Sequence, residues 1–214
     1  MIKLDNVSKQ FGDHVLFKDV SFEIGDGEFV VFSGASGCGK TTMLNIIGGL
    51  EPPSSGSITV DGVDISKKKG LVEYYRSKVG FLFQNFALVE NKTVRENLEF
   101  VRKDTRSDIT IEKALERVGI PDKADAMVYT LSGGEQQRVA LARLMVKKCD
   151  IILADEPTGS LDKANALEVM EILKSLNEQQ RKTVIMVTHD EELKNYGSRV
   201  VSLPIEKEQP APEN

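Results

Sequence analysis

Gly34-Ala35-Ser36-Gly37-Cys38-Gly39-Lys40-Thr41 has the spacing G-x-x-x-x-G-K-[ST] and lies between an apolar run, Phe29 to Phe32, and a helix-forming stretch. Glycines at those positions let backbone N–H groups turn inward around phosphates, and a helix start adds partial positive charge. Lys40 would reach the outer phosphates and the Thr41 hydroxyl would ligate Mg²⁺. A second candidate is Ile151-Ile152-Leu153-Ala154-Asp155-Glu156, an apolar run ending in two carboxylates. After a phosphate loop, such an Asp holds Mg²⁺, often through water, and the adjacent Glu suits a general base that takes a proton from attacking water. Leu131-Ser132-Gly133-Gly134-Glu135 places two glycines at a capped helix start, which makes a second anion site. Read alone, these five residues are equally an ordinary N-cap. Because the chain already has one phosphate loop, the second site would serve another subunit's nucleotide. His189 follows an apolar run and could contact a γ-phosphate or orient water. The Gln84 amide could reach Mg²⁺ or that water. Phe11 is a candidate to stack on adenine. Taken singly, these last three are equally structural residues.

The elements that must hold these residues follow from periodicity. Residues 1–33 read as strands, with Val20, Phe22 and Ile24 alternating with polar residues and a turn at Gly25-Asp26-Gly27. Thr41 to Gly48 reads as a helix, Pro52 to Ser57 as a loop, and Asp61-Gly62 as a hairpin turn. Val79 to Phe83, Ile151 to Ala154 and Val184 to Val187 read as buried strands. From about Asn85 to Lys148 the pattern is helical, with capping boxes at Thr93/Glu96 and Ser132/Glu135 and an amphipathic run from Ile109 to Val118 stopped by Gly119 and Pro121. Val169, Ile172, Leu173 and Leu176 mark one more helix face, and Lys67-Lys68-Lys69 reads as a solvated loop.

The 214 residues carry a net charge of −5, which speaks against a broad nucleic-acid footprint. Two distant cysteines, Cys38 and Cys149, form neither a metal pattern nor a disulfide framework, and fit a reducing compartment. No apolar run approaches the ~18 residues of a membrane span, and the first residues lack the apolar stretch of a signal peptide. A membrane role must therefore come through a partner.

Taken together, Phe11, the loop at 34–41, Gln84, LSGGE at 131–135, ILADE at 152–156, SLD at 160–162 and His189 resemble the ATP-binding cassette (ABC) family over about residues 2–203. The resemblance implies an α/β fold: a P-loop NTPase core with a mixed sheet, an N-terminal antiparallel β region and a helical subdomain. It implies one domain over 1–203, with the core at 1–84 and 149–203, the helical subdomain at about 85–148, and a disordered tail at 204–214. It implies ATP and Mg²⁺ as ligands and hydrolysis of ATP to ADP and phosphate. Nucleotide contacts would run along Gly34, Ala35, Ser36, Gly37, Cys38, Gly39, Lys40, Thr41 and Thr42, with Phe11 stacked on adenine. Thr41 and Gln84 would hold Mg²⁺, with Asp155 acting through water. Glu156 would be the base, His189 the switch histidine, and Gln84 the link to a membrane subunit. Ser132, Gly133 and Gly134 would contact the partner subunit's ATP, and Asp162 would lie in the loop crossing the dimer interface.

The partners implied are a second copy on ATP binding and an integral membrane permease, without nucleic acid. The chain would then be cytoplasmic, peripheral on the inner face of the membrane. ADEPTGSLD is similar to the macrolide-export and lipoprotein-release branch, and FLFQNFALVENKTVRENL to bacteriocin-export cassettes. Both suggest export of a peptide, lipid-linked or hydrophobic substrate. A regulatory ATPase bound to a membrane protein in cell division or signalling is the alternative. A DNA- or ribosome-acting relative would carry long coiled coils or two cassettes. The departures are Phe11 for the usual tyrosine, Lys147-Lys148-Cys149-Asp150 for a proline turn, and Tyr196-Gly197-Ser198-Arg199 without a following Asp-Gly. The regulatory C-terminal domain of some importers is not expected.

Overall fold

Strand β1 (Ile2–Phe11) buries Ile2, Leu4, Val7 and Lys9, one face of an alternating pattern that shifts at Asn6, where φ is +48°. It pairs antiparallel with β2 (His14–Ile24). The next strand, β3 (Phe29–Ser33), is buried throughout, as a strand covered on both faces must be. It leads through the glycine-rich loop into α1 (Lys40–Ile47). Then come β4 (Ser55–Val60), β5 (Val63–Asp64), α2 (Lys68–Glu73) and β6 (Val79–Leu82). The helical stretch holds α3 (Val94–Glu99), α4 (Ile111–Arg117) and α5 (Gly133–Val146). The chain returns through β7 (Ile151–Asp155), α6 (Lys163–Gln180), β8 (Thr183–Val187), α7 (Glu191–Lys194) and β9 (Arg199–Ser202). This is a computed structural model; it describes residues 1–203, with only the backbone of Lys68 and Lys69. The tail expected at 204–214 lies outside the described residues.

The strands form two sheets. One is antiparallel, in the order β2-β1-β4-β5, and the other is parallel, in the order β6-β7-β8-β3-β9. The parallel sheet separates two cores. Val30 and Phe32 of β3, Ile151 and Leu153 of β7, and Ile185 and Val187 of β8 pack with α1 and the antiparallel sheet. Their neighbours Phe29, Val31, Ile152, Ala154, Val184 and Met186 pack with the helices between β6 and β7 and with α6. Truncating one such buried Ile or Leu costs about 2–5 kcal/mol, so the strand ends that carry the candidate residues rest on a rigid base. Both expected capping boxes form: Thr93 and Glu96 at α3, and Ser132 and Glu135 at α5.

Three local expectations are corrected. The core sheet is wholly parallel where a mixed sheet was expected, because the antiparallel strands make a sheet of their own. The loop read over Pro52–Ser57 already enters β4 at Ser55, since Ser8 of β1 pairs with it. The lysine run is not a loop throughout, because α2 begins at Lys68. The residues that follow anchor the segment: Tyr74 Oη donates to Ile47 O at 2.9 Å and Tyr75 Oη to Gly49 O at 2.6 Å. Lys67 itself is exposed and pairs with Asp64 at 2.7 Å. The edge strand β9 escapes sequence reading because three of its four residues are exposed and no alternation shows.

Candidate functional site

All strands of the core sheet run in one direction, so β3, β7 and β8 deliver their C-terminal residues to one edge. At the end of β3 the backbone of Gly34 turns with φ +140°, and a Cβ there would lie 2.2 Å from Leu203 O. Leu203 is fixed in turn by its N–H, which donates to Ser33 O at 2.8 Å. Only glycine fits at position 34. Gly39, at φ +97°, sits at the N-cap of α1 and has no side chain to cap it. The first amides of that helix therefore stay open to an anion. Lys40 is 8% exposed and its Nζ donates to Gly34 O and Ala35 O, both at 2.9 Å. The loop's own carbonyls thus hold the ammonium over the loop. Ala35, Ser36 and Gly37 are exposed, Thr42 is half-buried, and Cys38 N donates back to Ala35 O at 3.3 Å.

Thr41, Asp155, Glu156 and His189 join this loop. Thr41 Oγ1 donates to Asp155 Oδ1 at 3.0 Å. Burial pushes the Asp155 carboxyl up; the Thr41 hydrogen bond opposes this, the Glu156 charge adds to it and Lys40 opposes it. A carboxylate so placed gains from a cation beside it. The Thr41 hydroxyl, the Asp155 carboxylate and the Gln84 carboxamide offer hard oxygen donors, which suits Mg²⁺. Among the described residues no three of His, Cys, Asp and Glu gather into a metal-holding cluster. Mg²⁺ takes one or two protein oxygens and completes its shell from phosphate and water. Glu156 has a left-handed backbone at φ +45°, and its N–H donates to Val187 O at 3.0 Å. Its Oε2 lies 2.9 Å from His189 Nδ1, so the proposed base and the histidine touch directly. Glu156 is mostly covered, whereas the histidine side chain is 74% exposed. Gln84, just beyond β6, lies against the turn after Glu156: a Cβ on Gly159 would be 3.2 Å from its Nε2.

Ser132, Gly133, Gly134 and Asp162 form a second group, on α5 and α6, across the sheet from α1. Ser132 Oγ accepts from Glu135 N, and Glu135 Oε2 accepts from Ser132 N. Asp162 caps α6 by accepting from Asn165 N at 3.0 Å. Asn165 ties the two helix starts together. Its Nδ2 donates to Asp162 Oδ2 at 2.6 Å and its Oδ1 accepts from Arg138 at 3.0 Å. A Cβ on Gly134 would meet Asn165 Oδ1 at 2.6 Å, so the second glycine is needed for close approach. Sequence reading missed Asn165 and Arg138. The signal for Asn165 was present, since Asp162-x-x-Asn165 is a cap with its N3 partner.

Phe11 stands apart, at the β1–β2 hairpin of the other sheet. Its ring is 52% exposed, and the buried Lys9 ammonium sits 4.6 Å from the ring centroid. That cation over the ring was not foreseen. Lys9 also pairs with Glu51 and donates to Pro52 O at 2.8 Å.

The two thiols differ sharply. Cys38 is half-buried, with Sγ 3.9 Å from Lys40 Nζ, while Cys149 is buried and its thiol is pushed up by burial. Maleimide is expected to label Cys38 on the order of tenfold or more faster than Cys149, and Mg-ATP to slow the Cys38 rate. Site-resolved mass spectrometry measures both. Equal rates, or a Cys38 rate indifferent to ATP, would refute an accessible thiol within the nucleotide loop.

A family model described as "ABC transporter" matches residues 17–159. The chain is 40% identical over 219 residues to an uncharacterized ABC transporter ATP-binding protein, MJ0796, of Methanocaldococcus jannaschii, covering 95% of this chain and 93% of that one. It is 38% identical over 210 residues to the macrolide export ATP-binding/permease protein MacB of Campylobacter jejuni, covering 95% of this chain and 33% of that longer protein. In three dimensions it is similar to a dimeric post-hydrolysis state of MJ0796 bound to ADP and Pi, with a TM-score of 0.82, 37% identity and 94% of each chain covered.

Proposed function

The chain belongs to the ABC transporter family, and we propose that it is the ATP-hydrolysing motor subunit of an exporter for a peptide, lipid-linked or hydrophobic substrate. One observation carries the hydrolytic part: a phosphate loop, a buried Asp bonded to Thr41 and a Glu touching His189 meet at one edge of one sheet. The loop amides and Lys40 bind the phosphates of ATP and offset their charge. Thr41 and Gln84 would hold Mg²⁺, with Asp155 acting through water, and the ion would offset the charge of the phosphate oxygens. Glu156 accepts a proton from water as its oxygen bonds to the γ-phosphorus. The bond to the β-phosphate oxygen breaks, leaving ADP and phosphate. His189, held by Glu156, orients the reacting γ-phosphate, and Phe11 stacks on adenine. The 1–203 stretch acts as one unit in this reading.

The similarity to a dimeric cassette with bound ADP and Pi supports a two-copy sandwich, with Ser132, Gly133 and Gly134 of one copy on the ATP of the other and Asp162 at the interface. No helix among the described residues is long and apolar enough to cross a membrane, so a permease must supply the path. A groove of about 540 Å³ between β6 and α5, lined by Phe81, Phe83, Phe100, Arg143 and Lys147, is a surface for it to dock. The macrolide export protein among the relatives, which joins both functions in one chain by its name, supports the direction of transport. Docked there, the chain lies on the cytoplasmic face of the membrane.

Each copy supplies half of each ATP site, so the nucleotide-free chain is expected to sediment as a monomer and to hydrolyse ATP slowly. Joining it in liposomes to its permease subunit should raise turnover per chain by about tenfold or more, by raising local concentration. A stable dimer at micromolar concentration without nucleotide would count against the sandwich. Turnover unchanged by the permease would count against the transport motor and favour a regulatory ATPase.

A further inference from the structure

Gln137 lies in the second turn of α5 and is completely buried. Its Nε2 donates to the carbonyl oxygen of Pro157, twenty residues on and next in sequence to Glu156. A proline carbonyl can only accept, so it fixes which end of the amide faces it. Gln137 Oε1 is thereby turned to the other side. Among the described residues it is the one buried side-chain atom without a hydrogen-bond partner. A methionine would fill the same space and remove that oxygen, but would leave the buried Pro157 carbonyl without its donor. What the amide adds over methionine is its grip on Pro157.

That grip falls where the backbone needs it. Glu156 is a non-glycine residue with φ +45°, and it precedes proline, which narrows its choices further. Its N–H is tied to β8 through Val187 O. The Glu156–Pro157 peptide has no N–H, and its carbonyl accepts from Gly159 N at 3.1 Å; the carbonyl after it is that of Pro157. Gln137 holds it, from the helix whose first residues are Ser132, Gly133 and Gly134.

We propose that Gln137 is a positioning residue for ATP hydrolysis: by gripping the Pro157 carbonyl it keeps the Glu156 carboxylate in its working place and ties that place to the seat of α5. The inference rests on Glu156 acting as general base.

The test uses the full chain with Gln137→Met, Gln137→Glu and, as reference, Glu156→Gln. Gln137→Met should lower kcat by about 10- to 100-fold, leave KM for Mg-ATP within about twofold, and change Tm little, since the unpaired Oε1 is removed while the Pro157 carbonyl loses its donor. Gln137→Glu can donate to Pro157 only when protonated. Its kcat relative to wild type at each pH should therefore rise as pH falls through the buried carboxyl's raised pKa and be lost as pH rises. Three results would overturn the proposal: kcat unchanged in Gln137→Met, Tm and KM worsening together with kcat, or a Gln137→Glu ratio flat with pH. Near-wild-type turnover in Glu156→Gln would instead overturn the general-base reading, whatever the Gln137 variants do.

Discussion

Glu156→Gln is expected to slow ATP hydrolysis by about 10²- to 10⁴-fold while the protein still binds Mg-ATP, and to trap an ATP-bound dimer. The glutamine keeps the size of the side chain but cannot take a proton from water. The Thr41–Asp155 pair that supports Mg²⁺ does not involve the substituted carboxylate and stays in place. The contact to His189 Nδ1, 2.9 Å in the wild type, can persist through the amide oxygen, so the histidine loses little of its support. With chemistry stopped, the closed sandwich no longer reopens through hydrolysis. Turnover and size-exclusion chromatography in Mg-ATP measure the two effects. Near-wild-type turnover removes Glu156 from the role of base.

Ser132→Arg is expected to reduce hydrolysis by about 10²-fold or more while each chain still binds one nucleotide with nearly unchanged affinity. Ser132 is exposed at the start of α5, on the opposite face of the sheet from α1 and the phosphate loop. Bulk there obstructs a partner's ATP and leaves the chain's own loop alone. The lost cap costs about 0.5–2 kcal/mol, so the protein should remain folded with a modestly lower Tm. Affinity from nucleotide titration and turnover must be measured separately. Loss of monomer affinity in step with turnover would place the site in cis and end the two-copy sandwich.

Much of this architecture is legible in the sequence because its signals are local. The phosphate loop has fixed spacing, β3, β7 and β8 are uninterrupted apolar runs, and the boxes at Thr93 and Ser132 announce their helices. What escaped depends on contacts far along the chain. α2 is held by Tyr74 and Tyr75 reaching back to the end of α1, and the lysines before it obscured that. β9 exists because Val30 to Ser33 offer it an open edge. At the site, Glu156 and His189 were each legible as a strand-end residue, but their contact depends on β7 lying beside β8. Lys9 over Phe11 and Gln137 under Pro157 are polar residues in buried positions, and periodicity alone cannot say what they hold.

The carbonyl of Leu203 presses on the phosphate loop at Gly34, and this constrains how the protein can be engineered. An affinity handle, a fluorescent reporter or a tether to a surface joined directly to Leu203 in place of residues 204–214 would start within contact distance of the nucleotide's seat. A stiff linker there would act as a lever on the loop. Labels for assays of nucleotide exchange are better carried on the exposed end of α6, where Arg181 closes the helix facing solvent.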